Sequence, residues 1–107
     1  MLFRSMIILR GVNLFPTQIE ELILRTPELS PHFQCVLGRT GPLDDLTVRV
    51  ERRGATSEQQ AAVAGQRLQA LIKNVVGVSV AVDVVDPEAV ERSMGKMRRV
   101  VDQRPAR

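Results

Sequence analysis

LTVRVERRGATSEQQAAVAGQRLQALIKNVV, residues 46–76, changes its hydrophobic period partway along. From Leu46 to Arg52 apolar and polar residues alternate. That two-residue period puts Leu46, Val48 and Val50 on one side of an extended chain and leaves the other side wet. Gly54 ends the run. Ser57 with Gln60 three residues later has the spacing of a capping box. Beyond it Ala61, Ala64, Leu68, Leu71, Ile72 and Val75 recur at spacings of three and four, the stripe of a long amphipathic helix, with Asn74 and Gly77 as exit signals.

Both flanks continue the theme. Downstream, Val78 to Val85 alternates valines with small or polar residues, which predicts a third strand, central in its sheet and ended by Pro87. Upstream, Phe33 to Leu37 reads as a strand between a loop at 28–32 and a turn marked by Gly38, Gly41 and Pro42. Earlier still, Met6 to Leu9 is a short β-rich run followed by Gly11, whose φ freedom allows a turn. Pro16 suits a first helical turn, Thr17 and Glu20 have capping-box spacing, and Ile19, Leu22 and Ile23 share one helical face before Pro27. The element order is β-α-β-β-α-β. It predicts an α+β sandwich in which two helices pack on one side of a three- to four-stranded, mainly antiparallel sheet, with residues 88–107 an irregular basic segment.

The 107 residues are 44% hydrophobic, enough for one domain over 1–107 without disulfides. Phe3, Phe15 and Phe33 are the only aromatics, so stacking on bases is poorly supplied and nucleic acid is an unpromising partner. The net charge of +3 is concentrated late, in Arg92, Lys96, Arg98, Arg99, Arg104 and Arg107, where it suits an acidic or phosphate partner. The single cysteine, Cys35, lies in an apolar run and reads as a buried thiol, consistent with a reducing, cytoplasmic setting. No run approaches the ~18 apolar residues of a spanning helix.

No catalytic constellation closes within the chain. His32 is the single histidine, beside Pro31, and reads as a loop residue; Asp44-Asp45 reads as turn chemistry, without metal-ligand spacing. Ser93-Met94-Gly95-Lys96-Met97 departs from the phosphate-binding P-loop, because Val90 and Met97 stand where that loop needs glycine and a hydroxyl residue. A lysine after glycine can still present a compact positive charge to a phosphate or carboxylate.

Two separated stretches belong together. MIILRGVNLFPTQIEELIL (6–24) resembles the segment after the hinge in adenylate-forming enzymes of the phenylacetate-coenzyme A ligase branch, and ERSMGKMRRVVDQR (91–104) is similar to that family's C-terminal lysine motif. The intervening TPELSPHFQCVLGRTGPLDDLTVRVE and LIKNVVGVSVAVDVVDP fit the same domain in the same order. The resemblance implies a mobile C-terminal lid domain, inactive without an N-terminal adenylation domain that supplies the pocket. The complete ligase joins an aryl carboxylic acid to coenzyme A, using ATP with magnesium, and no cofactor is held tightly by the lid itself.

By the same resemblance Lys96 is the catalytic lysine that approaches carboxylate and α-phosphate during adenylation, where its charge would stabilise developing negative charge. Arg10, Gly11, Val12 and Asn13 form the turn facing the coenzyme A channel, with Gly11 letting backbone run beside the thin thiol arm. Glu20 is assigned to capping. Arg4 and Ser5 stand where family members carry an acidic hinge pair, which implies an altered or severed hinge, and Met1 then reads as the start of a separately encoded lid or a truncated frame. The competing reading from residue chemistry is a ferredoxin-like regulatory or nucleic-acid-binding module that uses the basic tail.

Overall fold

Phe33 faces Val50, Cys35 faces Val48 and Leu37 faces Leu46 across one antiparallel ladder, and these six side chains are almost fully withdrawn from solvent. The period-two alternation of both segments dictates this: every second residue lands on one face, and that face is covered. The computed structural model describes residues 6–40, 43–89 and 100–102. Its elements are β1 (Ile7–Leu9), β2 (Val12–Leu14), α1 (Pro16–Leu24), β3 (Leu29–Thr40), β4 (Leu43–Arg52), α2 (Glu58–Val76), β5 (Ala81–Val85) and β6 (Val100–Asp102).

The architecture is α+β, two helices on a mixed sheet. β3 and β4 form the central antiparallel ladder of a four-stranded sheet ordered β5-β4-β3-β6, and both outer strands pair in parallel. The parallel β4–β5 pair requires a crossover, which α2 supplies. Ile19, Leu22 and Ile23 of α1 and Ala64, Leu68 and Ile72 of α2 join the β3 and β4 side chains in one core. With Phe33 the one aromatic in it among the described residues, aliphatic packing carries most of the burial energy, roughly 1.5–3 kcal/mol for each fully buried Leu or Ile.

Several expectations are corrected. The valine-rich run 78–85 is not central: only 81–85 is strand, at the sheet's edge, while Val78 and Val80 are buried just ahead of it. Alternating valines need one covered face, and α2 covers that face equally well at an edge. The loop foreseen at 28–32 is mostly strand, because β3 begins at Leu29 and absorbs a register shift between Leu29 and Phe33. Asp44 and Asp45 lie in β4 rather than in a turn, and Asp44 pairs with Arg39 at 2.9 Å. Val75 leaves the helical stripe and is 58% exposed, one residue short of the α2 end. The C-terminal segment, expected to be irregular, contributes β6, whose Val100 packs against the core.

Helix starts and stops follow local chemistry. Ser57 caps α2 as its spacing predicts, its Oγ accepting from the Gln60 N–H at 3.1 Å while the Gln60 side chain accepts from the Ser57 N–H at 3.1 Å. Gly77 closes α2 with φ at +93°. At α1 the expected Thr17–Glu20 box is shifted two residues upstream. Pro16 occupies the first helical position, making Phe15 the N-cap, and the Gln18 side-chain oxygen accepts from the Phe15 N–H at 2.8 Å.

Candidate functional site

A second, smaller sheet sits apart from the main one: β1 and β2 pair as a hairpin, with Ile7 opposite Leu14 and Leu9 opposite Val12. The sequence shows this only as a strand and a turn. Three residues per strand are too few for a clear alternation, yet Ile7, Leu9 and Leu14 are all buried and hold the hairpin on the core. The register leaves a two-residue loop, Arg10-Gly11, with φ of +50° and +82°. Positive φ at both central positions is what a type I′ turn requires, and its backbone twist matches that of the flanking strands.

Of the four residues expected at this turn, Arg10, Gly11 and Asn13 are exposed, whereas Val12 is half-buried and packs against the core. Val12 therefore anchors the hairpin. Among the described residues, none beyond its two chain neighbours has an atom within 4 Å of where a Cβ on Gly11 would stand, so the glycine serves its backbone angle. Arg10 is a residue with a side chain in the left-handed region, a conformation costing roughly 1–2 kcal/mol. Its Nη2 donates to the Ser79 carbonyl oxygen at 2.7 Å, tying the loop to the segment that leads into β5. Exposed Ile8, opposite Asn13, and exposed Met6 extend the same outward face.

Lys96, Arg4 and Ser5 lie outside the described residues, as does the whole of the late basic cluster. His32 falls in β3 rather than in a loop; its Nδ1 is buried and without a hydrogen-bond partner. Cys35 is fully buried, as its apolar setting predicts. Among the described residues no helix is long and apolar enough to cross a membrane.

The model of the AMP-binding enzyme C-terminal domain matches residues 11–104. The chain is 48% identical over 107 residues to a phenylacetate-coenzyme A ligase of Aromatoleum evansii and 45% identical over 104 residues to that of Escherichia coli. Each alignment takes in 94% of this chain and 24% of the relative, so the chain spans about a quarter of the length of these curated relatives. A solved domain of phenylacetate-coenzyme A ligase from Bacteroides vulgatus superposes with a TM-score of 0.84 at 30% identity, covering 94% of both chains. A 2-hydroxyisobutyryl-CoA ligase, solved in complex with 2-HIB-AMP and CoA in the thioesterification state, superposes with a TM-score of 0.82 at 26% identity over 94% of this chain and 21% of its own.

Proposed function

From membership in the AMP-binding enzyme C-terminal domain family, to which this chain belongs, we propose that it is the mobile lid of a phenylacetate-coenzyme A ligase-like enzyme, one domain over 1–107 that works only on an N-terminal adenylation domain. The observation that carries this reading is the exposed Arg10-Gly11 turn. It projects from a rigidly anchored hairpin with open space over its glycine among the described residues, in a body that superposes on a ligase solved with CoA.

The reaction has two halves. First, an aryl carboxylate attacks the α-phosphorus of ATP, pyrophosphate leaves, and an acyl-adenylate forms. Lys96, which lies outside the described residues, supplies a point charge that is worth most in that transition state, where negative charge accumulates between acid and phosphate. Second, the coenzyme A thiol attacks the acyl carbonyl, AMP leaves, and the thiol proton passes to solvent. Here the turn faces the thiol arm: Gly11 admits it, Asn13 presents an exposed amide on the same hairpin, and Arg10 stiffens the loop through Ser79.

Between the halves the lid of a complete ligase turns about a hinge; in this reading Arg4 and Ser5, outside the described residues, stand where its acidic pair would be, so the hinge is altered or severed. Magnesium accompanies the ATP phosphates in the larger domain, and no residue of this chain is assigned to it. A cytoplasmic location belongs to the same reading.

Mixing the chain with a lid-deleted adenylation domain of a phenylacetate-coenzyme A ligase tests the proposal. Restored thioester formation that is lost with Lys96→Ala supports it. Pyrophosphate exchange by the 107 residues alone, or no restoration by the mixture, overturns it.

A further inference from the structure

We infer that the groove between α2 and the open edge of β5 is a docking site for an extended basic segment of a partner protein, which joins the sheet there as an added strand. Among the described residues β5 pairs with β4 alone, and its five residues are exposed or half-buried, so its outer side meets solvent. Along a strand every second residue turns its N–H and C=O to the same side. Alternate residues of β5 therefore offer unpaired donors and acceptors at this edge.

Room for the side chains of an added strand lies beside that edge. A cavity of about 450 Å³ opens between α2 and β5, walled by Ala61, Ala62 and Gly65 on the helix and by Val82 and Val84 on the strand. Both of its ends are tied off. Just ahead of β5 the Gln69 side-chain amide donates to the Val80 carbonyl at 2.7 Å. Just after it Arg52 donates to the Asp86 carboxylate at 3.2 Å and to the Thr56 carbonyl at 2.7 Å. What stays open between these ties is the length of β5 itself, and an edge strand flanked by a helix groove is the geometry in which extended peptides bind by strand addition.

The two-residue period sets what such a segment carries. Val82 and Val84 face the groove, so Asp83 faces the other side of the sheet, where it stands 3.9 Å from Arg49 of β4. An added strand alternates in the same way: small apolar side chains enter the groove, and those between them stand beside Asp83.

Charge selects the occupant. Glu58, Asp83 and Asp86 border the edge and all three are exposed, the Asp83 and Asp86 side chains by 59% and 75%. Their arginines are drawn back: Arg49 is 37% exposed and Arg52 only 21%. A chain of net charge +3 thus presents carboxylates along this one edge. Pairing β5 with β5 of a second copy would bring two such acidic borders together, whereas a basic segment turns the same charges into attraction. The site is separate from the hairpin, and its occupancy does not depend on the lid role proposed above.

The test is amide-resolved NMR of the whole chain titrated to millimolar acetyl-Lys-Val-Lys-Val-Lys-amide, with the Glu-Val-Glu-Val-Glu peptide as the charge-reversed probe. Two further probes are the basic peptide N-methylated at both valines and the same peptide N-methylated at all three lysines. The inference expects the basic peptide to shift the amides of residues 81–85 together with Ala61, Gly65 and Gln66, and the acidic peptide to leave them still. One methylated form should lose binding and the other keep it, because only one set of N–H groups faces β5. Asp83→Asn and Asp86→Asn, both at exposed positions, should each weaken binding roughly two- to fivefold, as expected for an exposed charge pair. Ala62→Lys, which suits the helix and places a cation over the groove, should weaken it further.

No shifts at millimolar peptide, shifts confined to other elements, or equal binding by the two methylated forms overturns the site. Equal affinity for the acidic peptide overturns the choice of a basic occupant. Sedimentation showing the chain already dimeric, with the dimer lost on Asp83→Lys or Ala62→Lys, would make the occupant a second copy and also overturn the inference.

Discussion

Gly65 of α2 lies directly over Val84 of β5: a Cβ built on the glycine would come within 2.8 Å of a Val84 methyl group and 3.7 Å of one on Val82. The helix approaches its crossover strand this closely because position 65 has no side chain. Ala at 65 gains about 1 kcal/mol of helix propensity, but forcing a methyl against a stiff β-branched side chain costs roughly 1–3 kcal/mol. Gly65→Ala should therefore lower stability by about 1 kcal/mol net in denaturant titrations. In a double-mutant cycle Val84→Ala should cost less in the Gly65→Ala background than alone; strict additivity would show that the contact does not matter.

Gly77 presents the opposite case. Its φ of +93° ends α2, and among the described residues nothing beyond its chain neighbours stands within 4 Å of an added Cβ, so backbone conformation is what is at stake. Gly77→Ala should cost about 1–2 kcal/mol, and Gly77→Asn clearly less, because Asn tolerates the left-handed region. Equal losses in the two variants, measured by urea unfolding, would point to a steric cause that this open position does not contain.

At the other end of α2, Ser57→Ala removes the acceptor for the Gln60 N–H and should cost about 1 kcal/mol, as Ncap losses do. Ser57→Asp should retain most of the stability, since its carboxylate still accepts and favours the positive helix end. Thermal melts of the two variants separate capping from simple loss of an exposed hydroxyl.

Leu9 is fully buried and, with Ile7 and Leu14, holds the two-stranded hairpin to the core. Leu9→Ala should cost about 2–5 kcal/mol. Its effect on hydrogen exchange should be greatest at residues 7–14, because that sheet shares no ladder with the main one. Protection lost uniformly across β3 and β4 instead would mean that the hairpin and the main sheet unfold as one unit.

Much of this protein is legible along the chain alone. The switch of hydrophobic period at residues 46–76 identifies β4 and α2, because faces of strands and helices are set by local geometry. The Ser57 cap, the Gly77 stop and the Arg10-Gly11 turn are equally local. Capping is also where a local reading slipped: Thr17–Glu20 and Phe15–Gln18 share the same spacing, and the position of Pro16 in the helix decides between them.

Tertiary structure alone decided which strands are central and what meets across long separations. Edge and central strands can have identical patterns when a helix covers the same face, so the valine run gives no hint that β5 has one neighbour. Likewise nothing near Arg10 announces Ser79, 69 residues away, or Lys73 beside it. Periodicity records which way a side chain faces, since that follows from the backbone it is attached to; which partner it meets depends on how separate elements pack, and packing is a property of the whole chain.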